Sequence, residues 1–258
     1  MTTKCKQVHT DIGGPLTESL GGSFYFMTAL EDSTGFITAT PTKTTGIAPH
    51  ALKTRIKQLE TLTGVKVKRF RHDGAKEYVT NDLKLWIEDE AITSEITAPY
   101  KSQQNGKAER VNRALMERVR AALIDAGAEK KLSAKALASV VHVLNRSPNA
   151  GLEVTPLEAL MGQSPNVAGF CVWGSRAWAL KPTKQQRKLE PRTDAGHLVG
   201  YIVGGKAYRI LQIETNQIFE RRDVLMKENS AKVATSAVGS SASPWLTAEY
   251  DGNKDRAT

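Results

Sequence analysis

Along the first hundred residues the spacing of apolar positions changes repeatedly between two-residue and helical periods. Residues 6–12, "KQVHTDI", alternate and stop at Gly13-Gly14-Pro15, which predicts a strand ended by breakers with Asp11 near its carboxyl end. "SFYFMTAL" (23–30) predicts an apolar strand, "EDSTG" a turn and "FITATPTK" (36–43) a third strand, so the three form an antiparallel meander. Ile47, Ala51, Leu52, Ile56, Leu59 and Leu62 then recur at helical spacing, predicting a helix over 47–62 stopped by Gly64. "VKVKRFRHDG" (65–74) reads as a fourth strand running into Asp73-Gly74. A short helix over 80–89 and a strand over 91–97, "AITSEIT", follow.

The next helix is predicted over 105–126. Ala108, Val111, Leu115, Val119 and Ala122 form its apolar stripe, with Glu109 and Asn112 on the stripe's edge and Gly127 as its stop. Residues 133–145 form another helix, and "TPLEALMG" (155–162) a short one capped by Thr155 with Pro156 at its first position. The order β-β-β-α-β-α-β-α-α gives the α/β class, a mixed sheet flanked by helices. Beyond residue 165, "VWGSRAWAL", "GHLVGYIVGG", "KAYRILQIE" and "NQIFERRDVLM" are short strand candidates between Gly, Pro and polar turns. Three segments result: 1–165, an α/β core; 166–228, a small β-rich module joined through the basic linker "KPTKQQRKLEPR"; and 229–258, a disordered tail rich in Ser, Ala, Thr and Lys. Trp173, Trp178 and Tyr201 are expected in the core of the β module.

Composition narrows the partners. The 258 residues are 40% apolar, enough for a core, and carry a net charge of +9. Clustered Lys and Arg favour a polyanion, nucleic acid before membrane, because phosphate contacts release counterions. No apolar run approaches the ~20 residues of a membrane span. Cys5 and Cys171 are the only cysteines, which implies no disulfide framework and fits a reducing, intracellular setting. "KCKQVH" brings Cys5 and His9 together, but a closed zinc site needs four ligands and no second Cys/His pair lies nearby.

Asp11 and Asp73 both fall at carboxyl ends of predicted strands, the rim where open α/β sheets bind ligands. Glu109, thirty-five residues after Asp73, opens a helix that can pack beside the same rim. Hard cations such as Mg²⁺ take oxygen ligands, and two such ions about 4 Å apart can clamp an in-line attack on a phosphodiester. Taken singly, each acid also has a plain structural role. Asp11 can cap a turn, Asp73-Gly74 is a common turn dipeptide, and Glu109 can pair with Arg113 one turn on.

Five ordered blocks carry a resemblance: "HTDIGGP", "SFYFMTALEDSTG", "RHDGAKEY", "APYKSQQNGKAERVNR" and "VLNRSP…TPLEALMG". Over about residues 6–228 the chain resembles the integrase core of copia-type LTR retrotransposons, a retroviral integrase-like family. The later "KLEPR", "GHLVGY", "KAYRI" and "RRDV" resemble the segment that follows that core. The resemblance implies an RNase H-like five-stranded fold and a DDE-type polynucleotidyl transferase that inserts element DNA into target DNA. Asp11, Asp73 and Glu109 would be its catalytic, metal-binding carboxylates. It further implies a two-ion site for Mg²⁺ or Mn²⁺ formed with DNA, a homo-oligomer when active, and action in the nucleus. Gln103, Gln104 and Asn105 sit in a loop that either touches DNA or only starts the helix. Lys107, Arg110, Arg113 and Arg120 are candidate phosphate contacts. Asn112 is expected to hydrogen-bond the site or the DNA. Glu77 is expected to order the loop after Asp73, and His72 to be structural.

The chain departs from the family in two places. The family carries a His/Cys zinc-binding domain ahead of the core, of which Cys5 alone could be a remnant. The block after the second Asp usually reads Asn-Gly-Gly-Glu, where this chain has Gly74-Ala75-Lys76-Glu77. The expectation is therefore a fragment of an element, competent for metal binding and poor at integration. Two other readings stand beside the integrase: an RNase H-like nuclease, and a catalytically impaired nucleic-acid-binding fragment of a polyprotein.

Overall fold

The computed structural model describes residues 6–97, 102–149, 153–202 and 207–228, with the side chains of Ser102–Asn105 left out. Cys5, the loop at 98–101 and the expected tail at 229–258 lie outside the described residues.

Strands β1 (Gln7–Gly13), β2 (Tyr25–Glu31) and β3 (Ile37–Thr42) form the expected meander. Helix α1 (Ala48–Thr63) crosses over to β4 (Arg69–His72), and α2 (Asn81–Asp89) to β5 (Thr93–Ile96). The sheet order is β3-β2-β1-β4-β5, antiparallel on the meander side and parallel from β1 outward. This is the mixed five-stranded sheet that the resemblance implies. Gly64 closes α1 with a positive φ of 68°, and its N–H satisfies the Glu60 carbonyl. Thr80 caps α2 by accepting from the Leu83 N–H.

Alternation along the strands divides the interior in two. Val8, Met27, Ala29 and Phe70 face α1 and α2, with Leu52, Ile56, Leu59 and Leu83 filling that layer. Phe26, Ile37 and Ala39 face the other way, toward α3 (Ser102–Asp125) and α4 (Ser133–Leu144), where Leu115, Val119, Ala136 and Leu137 complete a second layer. Gly13 is required here, because a Cβ would lie 2.2 Å from the Phe26 ring. The edge strand β3 is pinned by Asn145, whose side chain accepts from the Ile37 N–H at 2.9 Å and donates to the Ile37 carbonyl at 2.7 Å. Such a clasp occupies backbone groups that an exposed edge would offer to another chain. The Asn145 carbonyl also receives the Leu157 N–H from α5 (Pro156–Met161). The "VLNRSP…TPLEALMG" block thus ties the core's edge together.

A second sheet has the order β10-β6-β7-β8-β9, all antiparallel: β6 (Arg176–Leu180), β7 (Thr193–Tyr201), β8 (Tyr208–Gln212), β9 (Ile218–Arg221) and β10 (Val224–Lys227). It packs on α4. The His142 ring stacks on Tyr201 at 4.8 Å between centroids and meets Phe170 at 5.7 Å, while Val199 and Leu211 pack with Ala126 and Leu132.

Several expectations need correction. The basic stretch 181–192 is no linker between units. It is the β6–β7 connection inside the second sheet, closed by the Lys181 N–H on the Arg192 carbonyl, because "SRAWAL" ahead of it is already a strand of that sheet. The fourth strand is confined to Arg69–His72, since the Glu60 carboxylate takes the Val67 N–H and diverts the preceding residues. Trp178 is half-exposed beneath Arg176 rather than in the core of the module, because it alternates with the buried Ala177 and Ala179. Trp173 packs with Leu123 and Ala126 between the two units instead.

Candidate active site

The parallel ladder between β1 and β4 pairs Gln7, Val8 and His9 with Arg69, Phe70 and Arg71. It ends two residues short of Asp11 and Asp73, so both carboxylates stand where the two strands part. Alternation gives them the same face, the one covered by α3. Gly74 lets the chain turn off β4 with a φ of 80°, and Asp73 Oδ1 accepts the Ala75 N–H at 3.0 Å.

Helix α3 is fixed over Asp11 by Asn112. Its Nδ2 donates to Asp11 Oδ2 at 2.8 Å, and its Oδ1 accepts the Thr28 hydroxyl at 2.8 Å. Asn112 was expected to reach the site or the DNA, and both of its polar groups are committed to the site. Glu109 lies one turn earlier on the same flank of α3 and is exposed. Among the described residues no ion pair joins it to Arg113. The charges of Asp73 and Glu109 act on Asp11. Burial pushes Asp11 up to about 6, and the charges of Asp73 and Glu109 push the same way, against hydrogen bonds from the Ile12 N–H and Asn112. This acidic rim offers hard carboxylate oxygens as its donors. It therefore suits a divalent ion such as Mg²⁺ or Mn²⁺ in charge and donor type. Among the described residues, however, no three His, Cys, Asp or Glu side chains are close enough to hold one ion in common.

The surroundings are densely hydrogen-bonded. His72 is buried and stacked on Phe70 at 4.9 Å. Its Nδ1 accepts the Gly74 N–H at 3.1 Å, so its Nε2 carries the proton and donates to Ser94 Oγ at 3.0 Å. Burial lowers its pKa. This histidine is a structural post beneath Asp73. Tyr78 shares a hydrogen bond with Thr10 at 2.9 Å, and burial raises its phenol. Glu77 is held below the usual carboxylate range by a hydrogen bond with the Thr45 side chain, which ties the loop after Asp73 to the start of α1.

Among the expected DNA contacts, Arg110, Arg113 and Arg120 are exposed on α3; Gln103, Gln104 and Asn105 belong to the first turn of α3 rather than to a loop before it, and their side chains lie outside the described residues. Lys107 is engaged within the fold, its Nζ donating to Asp32 Oδ1 at 2.6 Å. The same oxygen accepts from His9 Nε2 at 2.9 Å. Burial alone would raise Asp32, but the hydrogen bonds from Lys107 and His9 hold its carboxyl below the usual range. Sequence reading does not single out Asp32 or Thr28. The one available signal is that Asp32 directly follows the strand that pairs antiparallel with β1.

Known proteins agree with this architecture. Residues 175–238 match the retroviral polymerase SH3-like domain family, which covers the second sheet. A retrovirus-related Pol polyprotein from transposon TNT 1-94 of Nicotiana tabacum is 29% identical over 229 residues, 88% of this chain. This chain is similar to retrotransposon Pol polyproteins. The Pol polyprotein from transposon RE1 of Arabidopsis thaliana is 26% identical over 197 residues, 73% of the chain. The chain spans only 17% and 13% of the lengths of these two relatives. Among solved structures, a chain of the simian T-cell lymphotropic virus intasome, in complex with PP2A regulatory subunit B56 gamma, has the same fold. Its TM-score is 0.51 at 14% identity, over 84% of this chain and 76% of that one. The Pol resemblance read from the sequence blocks is borne out, and so is the fold. Among the described residues no helix is long and apolar enough to cross a membrane.

Proposed function

We propose that this Pol-type segment is an integrase core, a polynucleotidyl transferase that trims element DNA ends and joins them to target DNA. The observation that carries the reading is the placement of Asp11 and Asp73 just past the end of the β1–β4 ladder, with the helix that bears Glu109 bonded to Asp11 through Asn112 and with burial and the charges of Asp73 and Glu109 raising the Asp11 pKa. A fold gains no stability from burying a carboxylate in the field of two others, and a buried acid perturbed in this way is a functional-site candidate. Asp11, Asp73 and Glu109 would hold the divalent cations. Such ions would supply Lewis-acid activation of an attacking oxygen and charge stabilisation at the leaving oxygen. The residues of the chain do the rest. Asn112 holds the Asp11 carboxylate toward α3, the Asx turn of Asp73 fixes the loop at the rim, and exposed Arg110, Arg113 and Arg120 offer charge to DNA phosphates. Element ends and target DNA are the proposed partners, with a homo-oligomer as the active form and the nucleus as the place of action.

The test is Mg²⁺- or Mn²⁺-dependent processing of an end-bearing DNA duplex, with Glu109→Gln as control. Joined products support the transferase. Cutting without joining supports a nuclease, and equal signal from parent and variant removes enzymatic activity. A second reading, a nucleic-acid-binding fragment without chemistry, draws on one observation: the described carboxylates are not gathered closely enough to share an ion. Salt-sensitive DNA binding without metal-dependent cleavage would support it.

A further inference from the structure

Asp32 joins the two elements that carry Asp11 and Glu109. It lies just past β2, where its N–H donates to the Gln7 carbonyl at 3.0 Å, beside the start of β1. Its Oδ1 receives His9 Nε2 at 2.9 Å and Lys107 Nζ at 2.6 Å. His9 is 1% exposed and stands two residues before Asp11 in β1. Lys107 stands two residues before Glu109 in α3. The helix therefore has two polar anchors on the sheet, Lys107 on Asp32 and Asn112 on Asp11.

These anchors are commensurate. From Lys107 to Asn112 an α-helix advances about 7.5 Å. From His9 to Asp11 a strand advances about 6.6 Å. With α3 running along β1 in the same sense, both anchors close together, and Glu109 lies between them. Leu115 and Val119 seat the body of the helix in the core, and its first turns depend on the polar anchors. The two anchors, on either side of Glu109, fix its rotation and its axial register.

We propose that Asp32 is a positioning residue for Glu109, acting through Lys107 to hold the first turns of α3 at the acidic rim. The proposal rests on the metal-dependent reading of that rim. It also gives Lys107 a different role from a phosphate contact, since its ammonium is spent on Asp32. The buried His9 serves as the fixed side of the link and Lys107 as the moving side.

The test uses the whole chain and needs no turnover. Mn²⁺ affinity is measured by electron paramagnetic resonance of the free ion, and amide exchange is followed at residues 106–110. Asp32→Asn and Lys107→Met should each weaken Mn²⁺ binding by about tenfold and speed exchange at 106–110. The double variant should be no worse than either single one, because both remove one link. Asp32→Glu should restore most of the affinity. Lys107 is half-exposed, so Lys107→Met carries the test even if Asp32→Asn fails to fold. Parental Mn²⁺ affinity in these variants overturns the proposal. So does faster exchange with unchanged affinity, which would make the link purely structural. DNA affinity that rises in Asp32→Asn with Mn²⁺ binding intact would assign Lys107 to phosphate and also overturn it. A parent that neither binds Mn²⁺ nor cuts DNA differently from Glu109→Gln brings down the functional reading itself, and the positioning role with it.

Discussion

Asn112 Nδ2 lies 2.8 Å from Asp11 Oδ2, and the amide that makes this bond is held in turn by the Thr28 hydroxyl at 2.8 Å. The link crosses from the central strand to the helix that carries Glu109. Asn112 and Thr28 are buried and Asp11 partly so, which leaves the amide little water to fall back on.

Asn112→Ala should therefore cost about 1–3 kcal/mol of folding free energy, the range for stranding buried polar partners. Urea unfolding measures it. Metal-dependent cleavage should fall by about 10- to 100-fold. Asn112→Asp should be worse for activity than for stability at acid pH, because it adds a carboxylate to an already acidic pocket.

Asp11 makes metal-free stability depend on pH in the direction opposite to a salt-bridged acid. Its folded pKa is about 6, above the ordinary 3.8. Between those values the folded state binds more protons than the unfolded one, so stability falls as pH rises from about 4 to 6. The cost at neutral pH is on the order of 3 kcal/mol. Asp11→Asn should raise the melting temperature at pH 7.5 without metal and abolish activity. Adding Mn²⁺ should stabilise the parent and leave the variant unmoved.

His142 works the other way. Burial against Phe170 and Tyr201, helped by the charges of Arg146 and Arg209, lowers its pKa from 6.5 to about 3. The folded state keeps this ring neutral while the unfolded chain protonates it. Stability is thus fully present above about 6.5 and is lost as pH falls toward 3, at about 1.4 kcal/mol per unit. His142→Phe should flatten the acid limb of the stability curve between pH 6 and 4. Acid should loosen the contact between α4 and the second sheet first, which amide exchange in β7 would register.

Asn145→Ala removes both hydrogen bonds to Ile37. About 1–3 kcal/mol should be lost, and amides of β3 should exchange faster while those of β4 do not. A loss spread evenly over the sheet would contradict an edge clasp.

The strands and helices were legible wherever a side chain's environment follows from its own neighbours in sequence. The meander shows in the alternation of "KQVHTDI" and "SFYFMTAL", and α1 in the spacing of Leu52, Ile56 and Leu59 ahead of Gly64. The 181–192 stretch misled because a basic, proline-containing run looks the same whether it links two units or two strands of one sheet. Trp178 misled because aromatic character does not say which face of a strand is covered.

By itself the sequence determined the order of the elements, the ends of most of them and the acids placed at strand ends. These follow from local periodicity, caps and glycines, which act over a few residues. Only the tertiary structure decided that Asp11 meets Asn112, that Lys107 is tied to Asp32, and that Asn145 clasps Ile37. Those contacts span 75 to 108 residues. They depend on how the layers pack across the sheet, which no short stretch of chain encodes.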